Sequence, residues 1–404
     1  MKQRYTILFL FFSFLILSSC SNTEVKNVVE SNTYNMISFN ETERMTEMLS
    51  TENSFGTEFK NIEYESLYPV FQNDGFEYID KSGNIVTDYK FETANFFSEG
   101  FASVSREGKY GAIDMSANIK IPLSYCYLGK FSCGLAAVKN SNEKFGFIDL
   151  NNKIVIPYKY DFVQNFSENI AVVSEDNYDF VMVNQNGEEL FTAECNYRAL
   201  IGSFKNGLQR QGYSFYNTKG ECVISNCIYR MDAWGFMPND FSEGVAVYPI
   251  INDLEWQITN DYDIDYYMNA NNWKYKYVDV YGNDAFETIY DYAENFSEKL
   301  VVVEINGNCG VIDNNGKIVF YNDGVCGQYS EGYITYHTEI DGVKKYGFLD
   351  KNGNVSIDAQ YDSILKDFTD GLALVKLNEM LMYIDYSGEI IYKFEEPEYK
   401  FWIY

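Results

Sequence analysis

The sequence has a single histidine, His337, among 404 residues. Catalytic triads with a histidine base and metal sites built from several histidines are therefore nearly excluded. The chain also lacks G-x-S-x-G, the phosphate-binding G-x-x-x-x-G-K-[ST] and the dinucleotide-binding G-x-G-x-x-G. We therefore expect a protein that is not an enzyme and needs no cofactor, with His337 an ordinary strand residue.

Proline and basic residues are scarce, with 6 Pro and 31 Lys plus Arg against 59 Asp plus Glu. Aromatic residues are abundant, with 36 Tyr and 31 Phe. An aromatic-rich, proline-poor composition favours a folded, strand-rich chain over a disordered one. The formal net charge of −28 repels phosphate backbones, so nucleic acid is not an expected partner.

The N-terminal apolar run, 5–17, is short for a transmembrane helix. Lys2 and Arg4 precede it, and Ser-Ser and Cys20 follow it, in the order of a signal peptide. A cysteine at the cleavage point resembles the lipobox of bacterial lipoproteins. The resemblance implies that 1–19 is removed and that Cys20 carries the acyl chains (palmitate) that hold the protein to a membrane of the cell envelope, outside the cytoplasm. A plain secretory signal and an uncleaved anchor are the alternatives.

The remaining cysteines are odd in number and include no C-x-x-C pair, so an exported chain cannot pair all of them internally. They are Cys126, Cys133, Cys195, Cys222, Cys227, Cys309 and Cys326. We expect buried, unpaired residues, with Cys222 and Cys227 the first candidates if a disulfide forms.

Residues 20–61 are rich in Ser, Asn, Thr and Glu and are expected to be a flexible tether. From 62 onward two anchors recur in phase, which is a strong indication of a repeat array over 62–404. The first anchor is an Asp or Asn with a period of about 35 residues. Its positions are Asp80, Asp114, Asp149, Asn184, Asn217, Asp279, Asp313, Asp350 and Asp385, and the second anchor, FSEG or a variant, begins at Phe97, Phe131, Phe166, Phe204, Phe241, Phe296, Tyr329 and Phe368.

One unit has an all-β pattern. In FSCGLAAVKNSNEKFGFIDLNNKIVIPYKYD we predict strands over 135–139, 144–149 and 153–158. Many units have D-x-x-G between strands two and three, which is typical of a turn capped by the Asp carboxylate and closed by a left-handed Gly. Each unit is thus predicted to be a meander of about three antiparallel strands. The FSEG turn would lead to the next unit, with its aromatic buried between neighbours.

A single meander buries too little apolar area to fold alone, so about nine must stack. Because units of about 35 residues are short for four-stranded propeller blades, we expect an open solenoid or arc. A closed, propeller-like ring is the alternative.

The phased motifs resemble the bacterial WG β-repeat family, over about 62–390. The resemblance rests on Tyr110-Gly111, Phe145-Gly146 and Tyr346-Gly347, followed by Ile113-Asp114, Ile148-Asp149 and Leu349-Asp350. Cys309 departs from the pattern, and the literal Trp234-Gly235 is out of register. We expect the aromatic ring to cover bare backbone at the strand glycine. The resemblance implies a surface or interaction role without fixing one activity.

One widened gap contains an insertion at about 250–271. Insertions in repeat arrays often map to the binding face. Its candidate binding residues are Trp256, Tyr262, Tyr266, Tyr267 and Trp273. The alternative is a loop folded onto the array with these rings buried. Asp261, Asp263 and Asp265 alternate as calcium loops begin, but the required Gly and bidentate Glu are missing, so we expect no metal site.

The function that these patterns favour is binding. We expect a lipid-anchored, non-enzymatic β-repeat protein that presents an acidic, aromatic-rich surface to a protein or polysaccharide partner of the cell envelope. A carboxylate-dependent glycan hydrolase and a passive surface spacer are the alternatives.

Overall fold

The repeat of about 35 residues in the sequence corresponds to a series of small antiparallel β-sheets in the structure. A computed structural model describes residues 66–195, 197–225, 238–251 and 273–396. In these residues 31 strands form nine sheets, accompanied by one 3₁₀ turn, Arg198–Leu200. Seven of the sheets have three or four strands and two have two. The all-β prediction is therefore confirmed for this part of the chain.

The strands are as follows, sheet by sheet in chain order. Sheet 1 contains β1 (Tyr68–Gln72) and β2 (Gly75–Ile79); sheet 2, β3 (Thr93–Ala94), β4 (Phe101–Arg106), β5 (Lys109–Asp114) and β6 (Ile119–Tyr125); sheet 3, β7 (Tyr127–Leu128), β8 (Leu135–Lys139), β9 (Phe145–Asp149) and β10 (Ile154–Tyr160). Sheet 4 contains β11 (Phe162–Val163), β12 (Ile170–Ser174), β13 (Val181–Asn184) and β14 (Glu189–Thr192); sheet 5, β15 (Ile201–Lys205), β16 (Leu208–Gln211), β17 (Ser214–Asn217) and β18 (Cys222–Ile224); sheet 6, β19 (Val245–Ile251) and β20 (Trp273–Asp279). Sheet 7 contains β21 (Tyr292–Ala293), β22 (Leu300–Ile305), β23 (Asn308–Asp313) and β24 (Ile318–Tyr321); sheet 8, β25 (Tyr333–Ile340), β26 (Val343–Asp350) and β27 (Val355–Tyr361); sheet 9, β28 (Ser363–Thr369), β29 (Leu372–Leu377), β30 (Met380–Ile384) and β31 (Ile390–Glu395).

Sheet 3 shows how one unit folds. Strands β8, β9 and β10 occupy the three predicted segments to within two residues. A short extra strand, β7, precedes them and pairs with the end of β8. The FSEG-type turn joins β7 to β8 within this sheet, so the expectation that it leads to the next unit is wrong. The chain instead passes from sheet to sheet at single residues such as Cys126, between β6 and β7.

The D-x-x-G turns have the predicted geometry. In the last of them with Asp-x-Asn-Gly, the Oδ1 of Asp350 accepts the backbone N–H groups of Asn352 and Asn354 at 2.8 and 2.9 Å. Gly353 has a φ of +84°, which a side chain would strain. All nine anchor residues accept backbone N–H groups two and four residues ahead, and Asn184 and Asn217 do so with an amide oxygen.

The strand glycine after the aromatic has a different role from the one expected. A Cβ on Gly146 would lie 2.6 Å from the carbonyl oxygen of Ile156, and one on Gly347 would lie 2.4 Å from that of Ile357. The third strand bulges toward the second at this point, as the shifted register between Ile156 and Tyr160 shows. The glycine is therefore needed for the close approach of backbone, not as a bare patch under a ring.

The first and last sheets pack together, so the array is closed. The Tyr383 hydroxyl donates to the Pro69 carbonyl at 2.9 Å, and the Tyr68 hydroxyl donates to the Asp370 carbonyl at 2.7 Å. One hydrophobic cluster joins β1 and β2 to β29, β30 and β31. The open solenoid was the wrong choice, and the alternative, a propeller-like ring, is correct. The physical reason is that the apolar faces of two terminal units would otherwise be exposed, and each covers the other.

The six cysteines in the described residues are free thiols. None of them is fully buried and Cys222 is exposed, so the expectation of buried cysteines is wrong. Cys227, its suggested disulfide partner, lies outside the described residues. No helix in the described ranges is long and apolar enough to cross a membrane.

Candidate functional site

The FSEG-type turns are two-residue hairpins whose two central residues both have positive φ. The third motif residue has φ between +50° and +55° and the fourth between +65° and +97° in all eight turns. Positive φ at both positions is the requirement of a type I′ turn, which Gly meets without strain. The aromatic at the first position is at most 3% exposed in seven of the eight, as expected.

The serine of the motif links each turn to the next one around the ring. The Ser98 hydroxyl donates to the Phe131 carbonyl, Ser132 to Phe166 and Ser167 to Phe204, at 2.6–2.7 Å. Ser242, Ser297 and Ser330 continue the series to Phe296, Tyr329 and Phe368. The second motif position therefore holds neighbouring sheets at a constant offset.

The glutamate of the motif makes a second link. The Glu99 carboxylate accepts the backbone N–H groups of Cys133 and Gly134 at 2.7 and 2.8 Å. Glu168 binds the next turn in the same way, at Asn206 and Gly207, and Glu298 and Glu331 repeat the arrangement. Charge-assisted bonds of this kind are stronger than neutral ones. The S-E pair of the motif is thus explained by contacts between sheets.

The two residues before each turn aromatic vary while the turn stays the same. We call them the variable pairs: 95–96, 129–130, 164–165, 202–203, 239–240, 294–295, 327–328 and 366–367, which read Asn-Phe, Gly-Lys, Gln-Asn, Gly-Ser, Asn-Asp, Glu-Asn, Gly-Gln and Lys-Asp. Pairs from different sheets meet near the middle of the ring: the Lys366 ammonium lies 4.2 Å from the ring centroid of Phe96, although the two residues belong to sheets 9 and 2. Lys366 also interacts electrostatically with Lys130, near sheet 3. The centre of the ring therefore presents side chains of several sheets together.

Two carboxyl groups occupy another part of this centre. Burial raises the pKa of Asp367. The hydrogen bond from the Thr335 hydroxyl, at 2.8 Å, and the charge of Lys366 partly offset this rise. Burial also raises the pKa of Glu294, and the Asp367 charge adds to this rise, while the 2.6 Å bond from Tyr292 lowers it. Burial and these two carboxylates raise the pKa of the Cys326 thiol to about 11. The Asp367 carboxylate of sheet 9 thus lies close enough to disfavour ionisation of Glu294 in sheet 7.

Most of the residues predicted to form a binding loop cannot be placed. Trp256, Tyr262, Tyr266 and Tyr267, the weak metal candidates Asp261, Asp263 and Asp265, and the lipidation candidate Cys20 lie outside the described residues. Trp273 is described: it begins β20, pairs with Ile251 and is 3% exposed. Its ring is therefore part of the core and offers no exposed platform.

His337 lies in β25, where burial and the Lys344 ammonium, whose Nζ is 3.4 Å from Nε2, lower the pKa of its imidazole. In the described parts of the chain, no three His, Cys, Asp or Glu side chains are grouped so as to hold a metal ion.

Comparisons with known proteins agree with the repeat type and the fold. Five segments match the model of the WG containing repeat, at 78–110, 110–144, 145–178, 285–309 and 346–380. No curated protein matches the sequence. A solved structure of a eukaryotic initiation factor has a TM-score of 0.51 at 9% identity, covering 82% of this chain and 96% of its own. This likeness concerns the fold alone.

Two other solved structures have lower TM-scores. BamB from Moraxella catarrhalis has a TM-score of 0.31 at 13% identity, covering 82% of this chain and 95% of its own. AztD from Citrobacter koseri has a TM-score of 0.38 at 13% identity, covering 82% and 94%. The sheets, their closure and the matched repeats together define the class of the protein: a closed β-propeller that carries WG containing repeats.

The sequence analysis missed the variable pairs, and a signal for them was present. Once the units are aligned on the turn aromatic, the pair of residues before it is different in every unit, while the fifth position after it is Ala in five of the eight units. Variation at fixed positions of a regular scaffold indicates side chains released from packing. That these positions converge could not be read from the sequence, because convergence follows from closure.

Proposed function

We propose that this protein is a non-enzymatic, lipid-anchored β-propeller of the bacterial cell envelope that binds a protein or polysaccharide partner. The observation that carries the proposal is the set of variable pairs at the centre of the ring. Hydrogen bonds from the turn serines and glutamates position the backbone, and the exposed side chains of the pairs, Lys130, Asn165 and Gln328, are available for recognition. Recognition residues on a rigid scaffold are the common arrangement in binding proteins.

The net charge of −28 supports a partner that is neutral or basic over most of its contact area, and argues against nucleic acid. Immobilised ectodomain should retain a specific component when it is exposed to envelope extracts and to a glycan array. A ring with changed variable pairs, such as Asn165→Ala with Gln328→Ala, both at exposed positions, should retain less. Equal retention by the two proteins would contradict a binding role for the ring centre.

The anchor is a separate part of the proposal and rests on the lipobox at Cys20. Cys20→Ala should release the protein from membranes into the soluble fraction, whereas Ser18→Ala should leave it anchored. Membrane retention of the Cys20→Ala protein would refute lipidation at this residue.

The insertion at 250–271 is proposed as a second contact region through Trp256, Tyr262, Tyr266 and Tyr267. Because Ile250 and Ile251 pair with Lys274 and Trp273 in sheet 6, a deletion should remove only 253–271 and leave both strands. Loss of partner binding with an unchanged unfolding temperature is the expected result. Unchanged binding would favour the passive spacer for this region.

The alternative, a carboxylate-dependent glycan hydrolase, gains specific support from Glu294 and Asp367. Glycoside hydrolysis uses one carboxyl group with a raised pKa as general acid and a second, ionised carboxylate. Glu294 is the candidate acid, because burial and the Asp367 charge raise its pKa. Turnover of any glycan that is lost in both Glu294→Gln and Asp367→Asn proteins would establish this alternative. Binding of a glycan without turnover would leave the non-enzymatic proposal in place.

A further inference from the structure

A pocket of about 480 Å³ spans sheets 3, 4 and 5 beside the FSEG-type turns. Its lining includes Tyr127 and Phe145 from sheet 3, Gln164 and Asn165 from the variable pair of sheet 4, and the lysines Lys130 and Lys205. No carboxylate contributes to the lining. In a chain with 59 acidic residues, a pocket with two lysines and no acid is a local reversal of charge.

Lys130 directly precedes the FSCG turn and Lys205 lies in the FKNG turn, and these two turns are the ones that lack an acidic third residue. Six of the eight turns have Glu or Asp at this position, whereas FSCG has Cys133 and FKNG has Asn206. The carboxylates near the pocket have partners in the fold. Glu168 accepts the N–H groups of Asn206 and Gly207 at 2.7 Å, and Glu99 accepts those of the FSCG turn. Asp240 accepts the N–H of the lining residue Ser203 and pairs with Arg210. Two acids are therefore absent from the turns beside the pocket, and the nearby ones are occupied.

Lys205 replaces a residue that the scaffold uses. Six of the eight turns have Ser at this position, and each of those hydroxyls donates to the carbonyl of the next turn aromatic. A lysine gives up this link between sheets and brings a cation to the pocket. When a repeat unit replaces a residue that stabilises the fold and gains no new stabilising contact, a functional role of the new residue is expected.

The two ammonium groups are free to bind a ligand. Neither Lys130 nor Lys205 makes an ion pair with any described residue, and both side chains are exposed. Lys130 faces repulsion from Lys366, which an anion bound beside Lys130 would relieve. The rings of Tyr127 and Phe145, 5.8 Å apart in an edge arrangement, form an aromatic wall.

From these features we propose that the pocket is a binding site for a sugar that carries an anionic group. Lys130 and Lys205 pair with the anion, and the wall of Tyr127 and Phe145 packs against the apolar face of the sugar ring. The volume lies within the range of about 300–1,000 Å³ common for small-ligand sites. The inference rests on the proposed binding function and names the ligand class at one part of the ring.

The test uses the full chain and calorimetric titration with three probes: tetragalacturonate, its fully methyl-esterified form, and glucose 1-phosphate. Three variants are compared, each of which takes a residue found at the same position of another unit. Lys205→Ser introduces the serine that most turns have at this position. Lys130→Asn introduces the asparagine that other units have at the equivalent positions, Asn165 and Asn295. The control, Lys219→Ser, lies in a turn away from the pocket and introduces the serine found at the equivalent position, Ser82.

We expect the unmodified chain and Lys219→Ser to bind tetragalacturonate or glucose 1-phosphate, with affinity that falls as salt rises. The first probe alone indicates a carboxylate sugar and the second a phosphate sugar. Lys205→Ser and Lys130→Asn should each weaken binding about tenfold, equivalent to about 1.4 kcal/mol. Lys205→Ser should keep or raise the unfolding temperature, because its hydroxyl regains a carbonyl partner.

Three results would overturn the inference: neither anionic sugar binds, the methyl ester binds as tightly as tetragalacturonate, or Lys205→Ser binds as well as Lys219→Ser. The proposed binding function fails by a different result, namely that the unmodified chain retains nothing from envelope extracts or a glycan array. If the unmodified chain and Lys205→Ser retain the same partner equally, only the pocket inference is lost.

Discussion

At the scale of single residues, the chain tolerates buried charge near the middle of the ring. Asp367 packs beside Lys366 and accepts the Thr335 hydroxyl, and burial is still the dominant influence on its pKa. Neither its burial nor its neighbours followed from the sequence, where Asp367 precedes an ordinary FTDG turn. Only the closed ring brings Glu294, from another sheet, within electrostatic range of it.

This environment predicts a pH effect for Asp367→Asn. Because the pKa of Asp367 is raised in the folded state, its ionised form opposes folding at neutral pH, and this opposition disappears below its unfolded pKa of about 4. Asparagine keeps an acceptor for Thr335 and carries no charge. Asp367→Asn should therefore stabilise the protein at pH 7 by more than about 0.5 kcal/mol. Substitutions at ordinary surface positions change the free energy of unfolding by less than this amount.

Urea unfolding at pH 7 and near pH 4 checks this, with exposed Asp358→Asn as the control. The gain should shrink as the pH falls. A gain that is constant with pH, or equal in the control, would count against an ionisation effect.

At the scale of the element, the sequence predicted the strands well because alternation and β-branched residues act locally. Strands β8 to β10 lie where the pattern put them, and the Asp-capped turns need only residues four apart. The FSEG motif was predicted as a connection between units and is a hairpin within one sheet. Its Ser and Glu bond to a turn about 35 residues away. A local pattern contains no information on that partner.

The link between turns predicts a marked effect of Glu168→Gln. Both carboxylate oxygens accept N–H groups from the next turn, whereas a Gln side chain has one acceptor and would direct an NH₂ at an N–H. We expect a loss of about 1–2 kcal/mol in the free energy of unfolding. Glu287→Gln, which removes the same charge at an exposed position, should change stability little. Equal effects of the two substitutions would show that charge alone matters.

At the scale of the whole molecule, closure decides which residues become neighbours. The core cluster that joins sheets 1, 2 and 9 covers surfaces that an open array would leave to solvent. Unit length favoured an arc, since units of about 35 residues are short for four-stranded propeller blades. Hairpin turns of two residues and single-residue passages between sheets make the short unit sufficient.

Closure can be tested with Tyr383→Phe, which removes the buried hydrogen bond to the Pro69 carbonyl. We expect a loss of about 1 kcal/mol in global stability. Faster amide hydrogen exchange should appear in both β1–β2 and β28–β31, since they share the seam. Tyr281→Phe, at a residue 77% exposed, is the control. Faster exchange confined to the last sheet would argue against a shared seam.

The sequence by itself determined the β class, the period, the strand positions and the Asp-capped turns, because each depends on residues close together in the chain. Tertiary structure alone decided that the array closes, why FSEG has its Ser and Glu, and which side chains meet at the centre. These depend on contacts between units one or more periods apart, and closure is settled by the burial of the two end surfaces against each other. The pocket with Lys130 and Lys205 belongs to this second group, since its walls come from three sheets.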